Sequence, residues 1–263
     1  MKFFAALMLL SFVVIVSFSR CTKTINHTIT DTLTIKDTLT IKDTVTIKDT
    51  IVKTQIDTVI RTLSVKPGPD DGQDGLVNSI PIYQVNNKSN PDLAVGEWSY
   101  AAQGYGDGTT RSYLEFVALD GLPSNAHIKS ATLYLTGLAP GTGTAFPQGN
   151  SLYPGSPYSG STDNSIWLKR TTANWDQDVI NWNNQPTTTD VNEVTIPSST
   201  DQWNNNVALD VTLLVQDIIN SKQNYGFCLQ MKNEQTYRSQ AFAGSRNSDS
   251  TRWPRLDVTY SLY

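Results

Sequence analysis

Residues that could perform acid–base, nucleophilic or redox chemistry are few in this 263-residue chain. There are two histidines, His27 and His127, and they stand far apart. Carboxylate pairs occur in loop-like sequence, at Asp70 with Asp71 and at Asp176 with Asp178. A glycosidase needs two carboxylates that face each other across a cleft, and closeness in sequence is poor evidence for that arrangement. The sequence therefore predicts a protein that is not an enzyme.

The sequence gives little indication of a metal site or a phosphate site. The sequence predicts no cofactor, although Asp74, Asp92 and Asp107 offer hard oxygen ligands that could contribute to a structural calcium site. Residues 104–108 are glycine-rich but lack the lysine and the strand–helix context of a phosphate loop. The two cysteines, Cys21 and Cys228, are too few for a disulfide framework or a cysteine-rich metal site.

Aromatic side chains point instead to binding. Trp98, Tyr100 and Tyr105 cluster in a polar loop that has little room to bury all three. Sugars present flat C–H faces and many hydroxyl groups, so their sites combine aromatic rings with planar hydrogen-bonding side chains. We expect these three rings to contact carbohydrate, and the alternative is that they pack over one end of the fold.

Four basic residues on or beside predicted strands form the best patch for an acidic sugar: Arg111, Lys169, Arg170 and Arg238. Arginine offers a fixed fork of donors that suits carboxylates or vicinal hydroxyls. The competing interpretation is structural, with the arginines paired to Glu115, Asp210 or Asp257.

Composition and patterning predict an exported all-β protein. Charged residues make up 17% of the chain, aromatic residues 10%, and the net charge is −4, which argues against nucleic acid as a partner. Short alternating runs predict strands at 112–119, 128–136, 165–170, 207–211, 226–232 and 255–260. The spacing of apolar residues predicts one helix over 211–219, with Asp210 or Thr212 as its N-cap. Trp182, followed by turn-forming residues, is expected to be a core anchor.

The first 21 residues resemble a bacterial lipoprotein signal. Lys2 precedes a 16-residue run from Phe3 to Phe18 that is apolar except for two serines, and Cys21 follows as the residue that would be lipidated. Arg20 departs from the pattern, because a small residue usually precedes the cysteine. The alternative is ordinary signal cleavage nearby, which would leave Cys21 as a free thiol.

A repeat of six residues follows the signal. Residues 31–48 contain three tandem hexads of Asp-Thr-(Leu/Val)-Thr-Ile-Lys, and degenerate copies extend the pattern. A period of six places all the apolar side chains on one face of a strand. We therefore predict an extended, threonine-rich stalk over residues 22–66 that pairs with other copies into an oligomer. The alternative is a disordered tether. Residues 67–73 form the predicted linker, and residues 74–263 the predicted globular domain.

Several segments of this domain resemble the disaggregatase-related DNRLRE domains of bacterial and archaeal surface proteins. They include the run Trp175-Asp-Gln-Asp-Val-Ile-Asn-Trp182 and residues 90–96, 111–116, 122–133, 183–186, 210–216, 224–227, 237–239, 242–243 and 252–256. Trp253 departs from the family motif, in which arginine and proline are usually adjacent. The resemblance covers roughly residues 74–260. It implies a jelly-roll-like antiparallel β-sandwich that binds polysaccharide or serves adhesion, and some relatives are implicated in polyuronate binding. Arg111, Arg170 and Arg238 match arginine positions of the family.

These observations predict a cell-surface lipoprotein whose C-terminal sandwich binds polysaccharide without catalysis. The predicted location is the bacterial cell surface, held at the outer membrane by the lipid on Cys21. The alternative is a structural or adhesive protein in which the stalk assembles chains into a fibre or spike and the sandwich docks a protein partner. Residues 67–263 hold 11 Lys or Arg against 19 Asp or Glu, and this acidic balance slightly favours neutral glycans or proteins as ligands.

Overall fold

The computed structural model describes residues 60–84, 90–158, 160 and 163–262. Within these residues two antiparallel sheets pack into a β-sandwich with a single short α-helix, as the sequence predicted. The predicted signal segment and the three tandem hexads lie outside the described residues. No helix in the described part of the chain is long and apolar enough to cross a membrane.

Turns and loops of different lengths connect the elements along the chain. The strands are β1 (Ile60–Val65), β2 (Gln73–Asn78), β3 (Asp92–Ser99), β4 (Asp107–Glu115), β5 (His127–Leu135), β6 (Ile166–Thr171), β7 (Thr188–Ile196), β8 (Val207–Asp210), β9 (Phe227–Met231), β10 (Arg238–Ala243) and β11 (Arg255–Ser261). The helix α1 spans Thr212–Ser221.

Strand pairing divides the molecule into a small and a large sheet. The small sheet has four strands in the order β1-β11-β5-β8. The large sheet has seven strands in the order β10-β3-β4-β9-β6-β7, with β2 also paired to β4. Alternating apolar side chains of both sheets meet in the main core, as Leu133 and Val258 of the small sheet and Leu114, Leu168 and Leu229 of the large sheet illustrate.

Helix α1 covers part of this core with the apolar face that its spacing predicted. Leu214, Val215, Ile218 and Ile219 are buried, while Leu213 on the opposite face is exposed. The Asp210 side chain accepts a hydrogen bond from the backbone N–H of Thr212 at 2.9 Å. This bond satisfies one of the free N–H groups at the start of the helix. The N-cap itself is Val211, which has no side-chain acceptor, so the prediction of Asp210 or Thr212 at this position was wrong by one residue.

The sandwich begins earlier in the chain than the boundary predicted at residue 74. Strand β1, which falls in the predicted stalk, pairs along its whole length with β11, from Ile60 opposite Ser261 to Val65 opposite Leu256. Leu63 and Val65 pack against the main core, whereas Ile60 is exposed. The end of the predicted stalk is therefore an edge strand of the small sheet.

The segment from Trp175 to Pro186 covers the outer face of the large sheet, and Trp175 rather than Trp182 is its buried anchor. Trp175 is 6% exposed and packs with Tyr113, Ile180 and Cys228. Trp182 is only half-buried at the margin of the same cluster. The expectation that Trp182 fills the core was wrong. The segment packs on the outer face of the large sheet, and Trp182 lies at the edge of the area that it covers.

Candidate functional site

A cleft of about 740 Å³ opens beside the ends of β2, β3 and β4. Its volume lies in the range of about 300–1,000 Å³ that small-molecule sites usually occupy. Rings and apolar groups from four parts of the chain line it: Ile82 and Tyr83, Trp98, Tyr100, and Phe146 of the long loop after β5. Amide and hydroxyl groups stand between them, from Asn78, Ser99, Gln103, Thr110, Thr144 and Gln148. The cleft can therefore offer both ring faces and hydrogen bonds.

A buried asparagine fixes one wall of the cleft. The side-chain amide of Asn78 donates to the Tyr100 hydroxyl at 3.1 Å and to the Thr110 hydroxyl at 2.9 Å, and its carbonyl accepts from the Ile80 N–H at 2.7 Å. The Tyr100 ring also lies 5.1 Å from the ring of Tyr83. Burial raises the pKa of the Tyr100 hydroxyl above its ordinary value.

Two glycines make room for the rings. A Cβ at Gly108 would stand 2.4 Å from Ile80 and 2.7 Å from the ring of Tyr100. A Cβ at Gly96 would stand 2.6 Å from the ring of Phe146. Because only glycine lets a ring approach the backbone of a strand this closely, the glycines of β3 and β4 determine the shape of the cleft.

Trp98 connects the cleft to a second group of rings. Its ring lies 5.8 Å from Phe146, 4.8 Å from Tyr158 and 5.2 Å from Tyr237. Tyr158 and Tyr237 are stacked on each other, with centroids 5.5 Å apart and planes 27° apart. These four rings come from β3, the long loop and the turn before β10, and together they extend the aromatic surface beyond the cleft.

Tyr237 presents its ring through an unusual backbone conformation. Its φ is +67°, in the left-handed region that bulky residues rarely adopt, and the residue is 45% exposed. An exposed ring held in a strained conformation is typical of a ligand-binding position.

Of the seven binding residues predicted from the sequence, two lie in the cleft. Trp98 and Tyr100 line it. Tyr105 is half-buried and does not line the cleft; its backbone N–H donates to the Tyr100 carbonyl at 3.1 Å and closes the turn. The four basic residues are not among the residues that line the cleft.

Arg111 lies on the outer face of the large sheet, where it is held by neighbours on two sides. Its guanidinium pairs with Glu234 at 2.8 Å, donates to Gln185 at 3.1 Å, and lies 4.9 Å from the centre of the Trp182 ring. Glu115, one of the three acids suggested as partners of the arginines, instead accepts from the Gln73 side chain at 3.3 Å. Glu234 lies in the turn between β9 and β10. It is far from Arg111 in the sequence, so no local pattern predicted their contact.

Lys169 and Arg170 follow each other on β6. The Lys169 ammonium group pairs with Asp190 at 2.7 Å and with Glu193 at 3.5 Å. Arg170 is half-buried, and its Nε has no hydrogen-bond partner among the described residues.

Arg238 is a structural residue, 8% exposed. Its guanidinium donates to the backbone carbonyl of Asp163 at 2.5 Å and to the side chain of Gln235 at 2.6 Å. Neither predicted acidic partner on β8 or β11 contacts it: Asp210 accepts from the Thr212 N–H before α1, and Asp257 pairs with Arg255 at 3.2 Å. The four basic residues thus do not form one open patch.

The three aspartates considered for calcium lie in separate networks. Asp74 pairs with Arg246 and accepts from the Ser245 N–H at 2.5 Å. Asp92 accepts from the backbone N–H groups of Thr144 and Ala145, and Asp107 accepts from the Thr236 hydroxyl. Across the described residues, no group of three or more His, Cys, Asp or Glu side chains is arranged to hold a metal ion.

Sequence reasoning missed Tyr83, Phe146, Tyr158 and Tyr237. Two of them, Phe146 and Tyr158, belong to a glycine- and proline-rich stretch at 139–162, and long loops in compact domains are often functional. An aromatic residue inside such a polar loop is the signal that could have identified them.

Comparison with known families supports a carbohydrate-binding role for this part of the molecule. The model of carbohydrate-binding module family 96 matches residues 151–260. The match includes Tyr158 and Tyr237, whereas the residues that line the cleft lie upstream of it. No curated protein matches the chain. The sandwich is accordingly a carbohydrate-binding-module-like domain.

Proposed function

We propose that this protein binds polysaccharide without catalysis and that the aromatic cleft, with the adjoining rings of Trp98, Tyr158 and Tyr237, is its binding site. The observation that carries the proposal is the aromatic lining of the cleft, which the two tyrosines in contact with Trp98 continue outside it, in a carbohydrate-binding-module-like sandwich.

Binding at such a surface needs only contact and hydrogen bonding. Apolar C–H faces of sugar rings pack on aromatic side chains, and burying them removes apolar area from water. Amide groups such as Gln103 and Gln148 can donate to and accept from hydroxyl groups. A largely preformed wall, fixed by the Asn78 hydrogen bonds, reduces the ordering cost of binding.

We further propose that the protein is exported and anchored at the cell surface. The support is the apolar run before Cys21, since a lipidated cysteine would give the chain a membrane attachment. Cys21→Ser should then move the protein from the membrane fraction to the soluble fraction, and retention of the variant in the membrane fraction would contradict lipidation.

The binding proposal is tested with the full chain carrying Cys21→Ser, which removes any lipid. We expect retardation in a native gel that contains a bound polysaccharide, and loss of retardation in Tyr83→Ala, because Tyr83 is 40% exposed on the cleft wall. Tyr134→Ala is the matched control, since Tyr134 lies on β5 of the small sheet under Arg255. Equal retardation of both variants would show that the cleft is not the site. A chain that binds no glycan would favour the alternative role in docking a protein.

A further inference from the structure

We infer that β1 is the edge onto which residues 45–50 of a second copy of this chain add as a strand, so that two copies close into a dimer. This inference is independent of the polysaccharide-binding proposal. It starts from the sequence of β1. Residues 61–66 read Arg-Thr-Leu-Ser-Val-Lys and match the hexad Asp-Thr-Leu-Thr-Ile-Lys in chemical type at every position but the first. Because β1 spans Ile60–Val65, the structure shows how a degenerate copy of the hexad is folded.

Strand β1 buries the apolar face of its hexad and exposes the hydroxyl face. Leu63 and Val65, at the leucine and isoleucine positions, pack against the main core. Thr62 and Ser64 are exposed. Successive side chains of a strand point to opposite faces, so a neighbouring strand with the same hexad pattern can extend both faces of the small sheet.

The second edge of β1 is the place where such a strand would bind. Among the described strands, β1 pairs only with β11. In an antiparallel ladder, successive residues direct their backbone N–H and C=O groups alternately to the two sides, so half of the residues of β1 direct theirs away from β11. Such an edge is a template for another extended chain. The repeat runs directly into β1, so every copy of the chain carries a segment of the required pattern.

Charge selects which upstream segment fits. Arg61 is exposed and stands at the position where the three tandem hexads have aspartate. If Asp49 of the second copy lies opposite Arg61 in an antiparallel pair, the residues beside them match as well. Opposite charges and apolar pairs directly across such a ladder are stabilising, and like charges there are destabilising. The further pairs in this register are Ile47 with Leu63, Val45 with Val65, Thr46 with Ser64 and Lys48 with Thr62.

The same register continues toward the N-terminus into a symmetric pair. Ile51 lies opposite Val59, and Lys53 lies opposite Asp57. The centre is Gln55, which lies opposite Gln55 of the other copy. Like charges meet nowhere in this register. Each copy therefore presents its own segment to the β1 strand of the other, and such an isologous interface closes at two copies.

The registers that use the earlier aspartates fit less well. With Asp43 opposite Arg61, Asp57 would lie opposite the apolar Ile47. With Asp37 opposite Arg61, Asp49 would lie opposite Asp49 of the other copy. Pairing through Asp49 avoids both conflicts.

A second copy fits this register better than the same chain folded back. Within one chain the register would need a three-residue reversal at Thr54, Gln55 and Ile56. Hairpin loops of this length usually end in a residue with left-handed backbone, which glycine and asparagine adopt and a β-branched residue resists. Residues 28–66 contain no glycine, proline or asparagine. Two separate chains need no reversal.

A single added cysteine tests the direction and the register of the pairing. The parent is the full chain carrying Cys21→Ser, whose remaining Cys228 is 1% exposed. Gln55→Cys should form a disulfide-linked dimer under mild oxidation, because the two cysteines would face each other. Thr50→Cys is the matched control. It should stay free of cross-links, since antiparallel pairing separates its two copies by ten residues, about 33 Å along the ladder. Cross-linking of both variants would mean parallel pairing and would overturn the inference.

Exchanged charges test the pairing of Arg61 with Asp49. In light scattering the parent should have twice the mass of one chain. Arg61→Asp and Asp49→Arg should each lose the dimer, because like charges then face each other. An equal mixture of the two variants should regain it, since each then meets an opposite charge. Lys129→Asp, an exposed position on β5, makes the same change in charge as Arg61→Asp and should stay dimeric.

The outcomes decide between a second copy and the chain's own upstream segment. A parent of monomeric mass, or charge variants that stay dimeric when alone, would overturn the inference. Variants that lose the dimer and do not regain it on mixing would overturn the pairing of Arg61 with Asp49. Circular dichroism checks that every variant keeps its β signal.

Discussion

Trp175 and Trp182, the two tryptophans of the segment that covers the outer face of the large sheet, should differ sharply in their contribution to stability. Trp175 is nearly buried between Tyr113, Ile180 and Cys228, and its indole N–H donates to the Tyr225 carbonyl at 3.0 Å. Truncation of a buried tryptophan to alanine typically costs about 3–5 kcal/mol, because transfer free energy is lost and a cavity remains. The lost indole donor also leaves a carbonyl without its partner, so we expect a cost near the upper end, about 4–5 kcal/mol, for Trp175→Ala.

Trp182→Ala should cost much less. Its ring is half-buried, and its special contact is the Arg111 guanidinium at 4.9 Å. A cation–π contact at such a site contributes about 0.5–1 kcal/mol, and partial burial of the ring adds a similar amount. The expected total is about 1–2 kcal/mol.

Urea denaturation followed by far-ultraviolet circular dichroism measures both free energies without using the tryptophan signal. Trp175→Phe is the control, because it keeps most of the apolar area and removes the indole N–H. A Trp182→Ala cost equal to or larger than that of Trp175→Ala would refute the assignment of Trp175 as the anchor.

Three further predictions concern pH, the domain boundary and the shape of the cleft. Burial, with a smaller contribution from the nearby charge of Asp120, raises the pKa of Glu115 from 4.5 to about 7, so the folded chain holds a proton that the unfolded chain releases. The free energy of unfolding should therefore fall as pH rises from about 4.5 to 7. Glu115→Gln should abolish this fall. Urea titrations at pH 8 should show the variant to be more stable by up to about 3 kcal/mol. A chain that begins at residue 66 lacks β1 and loses the packing of Leu63 and Val65. In thermal melts it should be less stable than a chain that begins at residue 58, by about 2–3 kcal/mol. Equal melting temperatures would mean that β1 contributes nothing to stability. Gly108→Ala should displace the ring of Tyr100 and weaken polysaccharide binding in native gels, whereas Gly106→Ala, with open space around its Cβ position, should not.

Alternation along the chain identified some strands, such as β5 and β9, and missed others, such as β3 and β10. Strand β5 alternates between buried and partly exposed residues, and its sequence pattern was recognised. Strand β10 is buried at all six positions, and the first five residues of β3 are buried too. Such strands show no period of two, so the sequence gives no alternation to detect.

The candidate site was predictable only where its residues are close in sequence. Trp98 and Tyr100 lie close together in one polar segment, and this clustering of aromatic residues identified them as candidates for binding. Tyr237 reaches Trp98 through the pairing of β10 with β3, and Phe146 reaches it through a long loop. The neutralisation of Arg111 by Glu234 likewise depends on a tertiary contact between distant segments. Local pattern carries no information about such contacts.

Strand β1 has a mechanical consequence for a protein whose chain continues upstream of Ile60. Tension applied to that chain acts first on β1, which among the described strands pairs only with β11. Detachment of its six residues would lengthen the chain by about 20 Å at roughly 3.3 Å per residue. Most of the described cleft wall comes from β2, β3, β4 and the segments beside them in the other sheet, and the rest comes from the loop after β5. No described residue that lines the cleft is paired with β1. Detachment of β1 would therefore break the pairing of one strand and leave the ladders of β2, β3 and β4 intact.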